Sequence, residues 1–343
     1  MSRPLHILVT ADPELPVPPR FYGGIERIVE LLIVGLRRRG HRITLLAHPA
    51  SSVDCDRVGY RGAHSRSVAS TIRNASQVLS ETRRRRPDLV QSFGRLAYLA
   101  PVLPRRLPKV MSYQRAITPR TVHWADRLAR GTLHFTACSA RLMAPVASAG
   151  AWHVIHTGVP IARYAFTEAV PDDAPLVFLG RIEEIKGPHL AIDVARETGR
   201  RLVIAGNVPD DHRAYFERTI APRVDGRAVT FVGAVDDAEK NRLLGSAAAL
   251  LMPVLWEEPF GIVMAEALAC GTPVIGLARG AVPEVVDDGV TGFVCEDVRG
   301  MVQAVGRVSR LSRQACRSDA ERRFSDTAIV DAYERLYREV VAA

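Results

Sequence analysis

The stretch that decides the fold runs from Trp256 to Ile275 and reads W-E-E-P-F-G-I-V-M-A-E-A-L-A-C-G-T-P-V-I. The apolar run ahead of it, Ala247 to Leu255, reads as a buried strand. Pro259 has a fixed φ and pushes the residue before it out of the helical region. Glu258 therefore falls in the loop between that strand and the next helix. Gly261 opens the helix, whose apolar positions are Ile262, Ala265, Leu268 and Ala269; Gly271 caps its C-terminus and Pro273 prevents continuation. Glu266 then lies in the second turn, on a helix whose N-terminus points at the loop carrying Glu258. Unpaired N–H groups and the positive dipole end make that N-terminus a place for an anion. One short segment so combines an anion-binding helix end with a carboxylate on either side, and carboxylates bind hydroxyls. A sugar joined to a phosphorylated ribose matches the set. The plainer alternative is a buried βα unit with two exposed glutamates, since Glu is common on helix surfaces.

Upstream, Leu5 to Thr10 reads as a first buried strand, followed by a proline-rich loop from Pro13 to Pro19. A helix with apolar positions Ile25, Ile28, Val29, Leu32 and Leu36 comes next, and Arg42 to Ala47 is the following strand. Gly23 and Gly24 stand at that helix N-terminus, where glycines let a ligand approach free N–H groups; a tight turn is the alternative. Asp88 to Ser92, Lys109 to Ser112 and His134 to Cys138 continue the strands, with Ser139 as an N-cap. Ala162 to Pro175 reads as a linker. Strands then recur at Leu176 to Gly180, Leu202 to Ala205, Val229 to Val232, Ala249 to Met252 and Val274 to Ile275, with helices between them. This is the doubly wound α/β pattern, met twice. The expected division is 1–165, 166–325 and a last helix in 326–343. After the strand ending at Gly180 comes R-I-E-E-I-K-G, where Arg181 and Lys186 could clamp a diphosphate, one as a fork and one as a point charge. A surface loop balanced by Glu183 and Glu184 is the alternative.

With 343 residues, 47% of them hydrophobic and 24% charged, the chain is long enough for two globular domains. Net charge is +9, which favours anionic partners: nucleotides, phosphorylated acceptors or an acidic membrane surface. The arginine runs at 37–39 and 83–86 stand at helix C-termini, where cations complement the dipole. No aromatic residues interleave with them, so nucleic acid is not an expected partner. The 5 cysteines include no Cys-x2-Cys pair, which argues against a zinc site or a disulfide framework and favours a reducing cytoplasm. No run is long enough to span a membrane. The dinucleotide glycine fingerprint, the P-loop, His-Glu-x-x-His and Gly-x-Ser-x-Gly are all missing, so dehydrogenase, kinase, metalloprotease and serine hydrolase lose their main support.

The stretch E-P-F-G-I-V-M-A-E-A-L-A-C-G-T-P-V-I resembles the signature of the family-4 retaining glycosyltransferases of GT-B fold. F-Y-G-G-I-E-R, F-L-G-R-I-E-E-I-K-G, R-G-A-V-P-E-V-V (Arg279 to Val286) and D-G-V-T-G-F-V (Asp288 to Val294) are similar to further segments of that family. The resemblance covers nearly the whole chain and is strongest from 176 to 297. It implies two Rossmann-like domains facing each other across a cleft, with the last helix crossing back to the first. It also implies an enzyme that moves a sugar from a nucleotide-diphosphate sugar, UDP by preference, with retention on the front face. The acceptor is left open: a small molecule, a glycan or a lipid-linked compound, the last with peripheral membrane contact. No metal or other cofactor is expected. Carried over, Glu266 would hold the ribose, while Glu258 and the backbone of Phe260, Gly261 and Ile262 would hold the sugar. Gly23 and Gly24 would face the donor phosphates and the acceptor, Gly180 would belong to the donor site, and Arg181 and Lys186 would stabilise the leaving diphosphate. Two places depart from the family pattern. Gln114 occupies the position where many members have a histidine reaching the donor sugar, and His156-Thr157 replaces the usual Pro-Asn. Other chemistries open to the same fold are nucleotide-sugar epimerase, hydrolase and phosphorylase, and a binding module that has lost catalysis.

Overall fold

The structure, a computed structural model, describes residues 3–19 and 23–343. It forms two compact units, one made of residues 1–158 and 326–343, the other of residues 159–325. The first connection thus falls a few residues before the expected 165. The reason is local: the Val159 N–H donates to the Phe324 carbonyl (2.8 Å) and the Tyr164 hydroxyl to Glu266 (2.7 Å), so 159–165 is held by the second unit.

Among the described residues, the first unit contains strands β1 (His6–Thr10), β2 (Arg42–Ala47), β3 (Asp56–Gly59), β4 (Leu89–Ser92), β5 (Lys109–Tyr113), β6 (Leu133–Ala137) and β7 (Ala151–Val154). They pair in the order β3-β2-β1-β4-β5-β6-β7, every pair parallel. The second contains β8 (Leu176–Leu179), β9 (Leu202–Ala205), β10 (Val229–Gly233), β11 (Ala249–Met252), β12 (Val274–Leu277) and β13 (Gly292–Cys295), in the order β10-β9-β8-β11-β12-β13, again parallel. Both are doubly wound sheets, as the alternation of apolar runs and amphipathic helices implies. In each, the direction of winding reverses once, between β1 and β4 and between β8 and β11. Open α/β sheets bind ligands in the crevice at such a reversal, beyond the strand C-termini.

Three strands are not expected from the sequence: β3, β7 and β13. All three are sheet edges. A central parallel strand is covered on both faces and reads as an apolar run, whereas D-R-V-G and A-W-H-V are largely solvent-facing and do not.

The last helix, Asp326–Ala342, belongs to the first unit. It buries Ile329, Val330, Tyr333, Leu336, Tyr337 and Val340 in the core that also holds Ile28, Val29, Leu32 and Leu36 of helix Gly24–Arg38. Each such aliphatic side chain contributes roughly 1.5–3 kcal/mol on burial. The two helices touch at Gly35, where a Cβ would lie 2.4 Å from Val330, so only glycine allows the approach. Polar bonds fix the rotation of the last helix: the Tyr337 hydroxyl donates to Gln91 (2.9 Å) and that of Tyr333 meets Ser112 (3.1 Å). On β5, Lys109 is fully buried, its ammonium donating to the carbonyls of Val102, Leu103 and Arg105 at 3.2, 3.0 and 2.7 Å. Among the described residues no helix is long and apolar enough to cross a membrane.

Candidate active site

The loops after β8 and β11 flank the winding reversal of the second unit, and they carry Gly180, Arg181, Lys186 and Glu258. They are pressed together. The Leu255 N–H donates to the Ile185 carbonyl (2.8 Å), and Gly187, at φ +73°, packs so closely that a Cβ there would lie 2.0 Å from the Pro253 carbonyl oxygen. This closeness brings Lys186 to Glu258. Its ammonium lies 2.5 Å from Glu258 Oε2 and 4.7 Å from the centre of the Trp256 ring. The Trp256 indole N–H donates to the same oxygen (2.9 Å). The loop behind Glu258 is fixed as well. The Ala281 N–H donates to the Glu258 carbonyl (2.8 Å), and at Gly280, φ +54°, a Cβ would meet the Glu258 backbone at 2.2 Å.

Past Phe260, which is buried edge-on against Phe324, Gly261 turns the chain at φ +74° into helix Ile262–Ala269. No side chain caps this helix N-terminus, so its dipole end stays open to an anion. Glu266, one turn in, receives the Tyr164 hydroxyl (2.7 Å) and the Lys240 ammonium (2.6 Å), both on Oε1. Lys240 in turn lies 3.3 Å from Asp237.

Glu258 is 6% exposed and Glu266 4% exposed. Two exposed surface glutamates are therefore not what this segment holds. A buried carboxylate must be paired and hydrogen-bonded, and each of these is held by one lysine and one aromatic donor. Arg181 is half-buried, its guanidinium 2.6 Å from the buried Glu183. So the balancing by Glu183 foreseen in the plainer reading of this loop does occur for Arg181, while Lys186 turns instead to Glu258. A Cβ on Gly180 would rest in ordinary contact with the Phe178 ring, at 3.8 Å; any side chain on Gly206 would strike the Gly180 carbonyl.

Gly23 and Gly24 belong to the first unit. At Gly23 a Cβ would lie 2.6 Å from Pro19 and 2.9 Å from the Glu26 carboxylate, while Gly24 has nothing within 4 Å. Phe21 and Tyr22 of the same motif lie outside the described residues. Burial pushes the Glu26 carboxyl above its usual range, with Asp12 adding to the shift. Gln114 accepts a hydrogen bond from the Thr157 hydroxyl (3.0 Å). The two departures from the family pattern thus meet: where a histidine is usual, Gln114 is held by a residue of the replaced Pro-Asn pair.

Tyr164, Lys240, Trp256 and Gly280 are not given a role by sequence reasoning. Trp256 and Gly280 lie inside quoted motifs and could have been. Tyr164 lies in the stretch that reads as a linker and Lys240 on an exposed-looking helix, and nothing local marks either. The one Asp-x-Asp triplet, Asp54-Cys55-Asp56, turns its carboxylates to arginines: Asp54 to Arg37, and Asp56 to Arg42 and Arg85 at 3.2 and 3.1 Å. Among the described residues no three His, Cys, Asp or Glu side chains converge as metal ligands would.

Two doubly wound units, one of them with buried carboxylate–lysine pairs and an uncapped helix end at its winding reversal, define a two-domain α/β protein. Residues 22–163 match the family described as Glycosyltransferase Family 4, and residues 164–328 that described as Glycosyl transferases group 1. The chain belongs to the family-4 glycosyltransferases of GT-B fold. Glycogen synthase of Mycobacterium tuberculosis is 34% identical over 203 residues, 52% of this chain and 47% of that protein. The chain spans about half the length of the curated relatives it matches. Among solved structures, sucrose-phosphate synthase from Thermosynechococcus elongatus superposes with a TM-score of 0.82 at 18% identity, covering 98% of this chain and 99% of that one. HepE of Anabaena, solved with UDP and glucose, gives 0.74 at 18% identity, over 98% and 100% of the two chains.

Proposed function

We propose that this protein is a retaining glycosyltransferase that transfers a sugar from a UDP-sugar to a hydroxyl acceptor without a metal. The observation that carries the reading is the Lys186–Glu258 pair at the winding reversal, beside an uncapped helix N-terminus and 8 residues before Glu266. The choice of UDP is supported by HepE, a fold relative solved with that nucleotide. Glu266 takes the ribose hydroxyls, and Glu258 with the backbone of Phe260, Gly261 and Ile262 takes the sugar. Gly180 lies along the phosphates, and the family resemblance assigns Gly23 and Gly24 of the first unit to the same group.

The bond that breaks joins the anomeric carbon to the β-phosphate oxygen, and its electron pair stays on the diphosphate. Arg181, Lys186 and the helix N-terminus are fixed positive charge, so they stabilise that developing anion most at the transition state. This is the work a divalent ion does in other transferases. The acceptor oxygen bonds to the anomeric carbon on the face the phosphate leaves, and its proton passes to the departing phosphate oxygen, which gives retention. Glu258 is no free nucleophile in this scheme, because one of its oxygens already takes both Lys186 and Trp256.

Calorimetric titration with UDP, GDP and ADP tests the donor: UDP should bind and the other two should bind more weakly. Arg181→Ala should raise the barrier by ~2–4 kcal/mol, the size of one preorganised electrostatic contact. Unchanged turnover would remove Arg181 from the reaction. Incubation with a UDP-sugar alone should leave it intact, and an epimer or free sugar would replace transfer with one of the other GT-B chemistries.

A further inference from the structure

The first unit carries a pocket of 480 Å³ at the C-terminal ends of β4 and β5, lined by Phe93 to Ala97 after β4 and by the end of β5 and its continuation, Met111 to Ala116. Three of its lining residues are arginines, Arg66, Arg95 and Arg115, and no lining residue is an aspartate or glutamate. All three arginines are exposed. Two carboxylates act on the set from outside the lining. Asp12 pairs with Arg115, and Glu14, hydrogen-bonded to Ser65, lies close enough to feel Arg66. Arg95 spends one nitrogen on the Ser65 carbonyl and Thr71. Each guanidinium has five N–H donors, so most of that donor capacity stays open. The aromatic faces of Tyr113 and the exposed Trp124 complete the lining, and so does Gln114.

We propose that this pocket seats the acceptor, and that it selects an acceptor bearing a phosphate or a carboxylate. The chemistry argues for it directly. Planar guanidinium forks match the paired oxygens of both groups, and aromatic faces suit the apolar side of a sugar or cyclitol ring. A neutral polyol would leave this set with more positive than negative charge, three guanidiniums against Asp12 and Glu14, whereas an anion balances it and satisfies donors that the fold itself does not use. The surplus of positive charge over the whole chain, +9, has the sign that draws such a ligand in. That the occupant is the acceptor rests on the glycosyltransferase reading above; that the pocket takes an anion does not.

The test is calorimetric titration of the full chain with glucose 6-phosphate, glucuronate and glucose, alongside UDP. The charged sugars should bind at least about ten-fold more tightly than glucose, one strong charge-assisted contact being worth that factor. Arg66→Glu combined with Arg95→Gln should remove the preference and leave UDP affinity within about two-fold. Arg66→Glu alone, at an exposed residue, gives the same reading if the double variant melts early. Co-sedimentation with phosphatidylglycerol and phosphatidylcholine vesicles separates the sources of the anion: selective, Arg66-dependent capture by the anionic vesicles identifies a lipid-borne group. Equal binding of glucose, or charged-sugar and vesicle binding that ignores the arginine changes or is missing altogether, overturns the proposal. Loss of UDP binding alone would sink the donor reading and leave this pocket standing.

Discussion

Replacing Lys186 with methionine keeps the stem that covers Trp256 and removes the charge that faces Glu258. Breaking a buried ion pair by deleting one member costs about 3–5 kcal/mol when nothing compensates. Here the Trp256 N–H still donates to Glu258, and the Lys186 side chain retains 16% exposure against 8% for Glu258, so water reaches part of the pair. The expected loss is about 2–3 kcal/mol. For a unit of this size each kcal/mol lowers the midpoint by ~2–4 °C, which predicts a fall of about 4–12 °C. Glu258→Gln keeps an acceptor for Lys186 and should cost about 1–2 kcal/mol. The double variant has no stranded charge, so it should be at least ~1.5 kcal/mol more stable than the sum of the two losses predicts. Thermal and urea unfolding followed by circular dichroism gives all four corners of the cycle. Additive losses, within about 0.5 kcal/mol, would mean that the two side chains do not hold each other, and the argument for the site would lose its centre.

Gly280→Ala would drive a methyl into the Glu258 backbone; it should cost about 3 kcal/mol and lower turnover by ~100-fold, and a variant that stayed active and stable would show that the loop has slack. Tyr164→Phe and Lys240→Met each remove one bond to Glu266; UDP affinity should drop by roughly 2–10-fold in each, and affinities equal to the parent would separate Glu266 from the ribose. Burial pushes the Lys109 ammonium down to about 8 from its ordinary 10.5. Above pH 8 the folded chain gives up this proton before the unfolded chain does, so this group's contribution to stability rises with pH until about 10.5. The stability of the parent minus that of Lys109→Met should therefore rise across that window, measured by urea unfolding at about pH 7, 9 and 10; a constant difference would refute it.

Most of the fold could be read from the chain because the central strands are covered on both faces and leave apolar runs, as in L-V-I-A and A-L-L-M. The edges β3 and β7 could not, since their residues are largely solvent-facing, while β13, though mostly buried, is a four-residue G-F-V-C too short to stand out as an apolar run. The site divides in the same way. The placement of Arg181, Lys186, Glu258 and Glu266 beside the winding reversal was legible because each sits in a contiguous motif that loop geometry explains. Tyr164 and Lys240 were not: they reach Glu266 from 102 and 26 residues away, and only the packed sheet brings them there. The partner of Lys186 is a similar case, for the charged neighbours in its own loop, Glu183 and Glu184, suggested a local balance, while the bond actually goes 72 residues along the chain.

The last helix is synthesised after the whole of the second unit, yet the core it completes belongs to the first. A ribosome making this chain therefore releases a finished, uninterrupted unit 159–325 while the earlier-made half still lacks Tyr333 and Tyr337. The half born first matures last, and until the final turn emerges it shows the flank of helix Gly24–Arg38 to any chaperone or neighbouring chain.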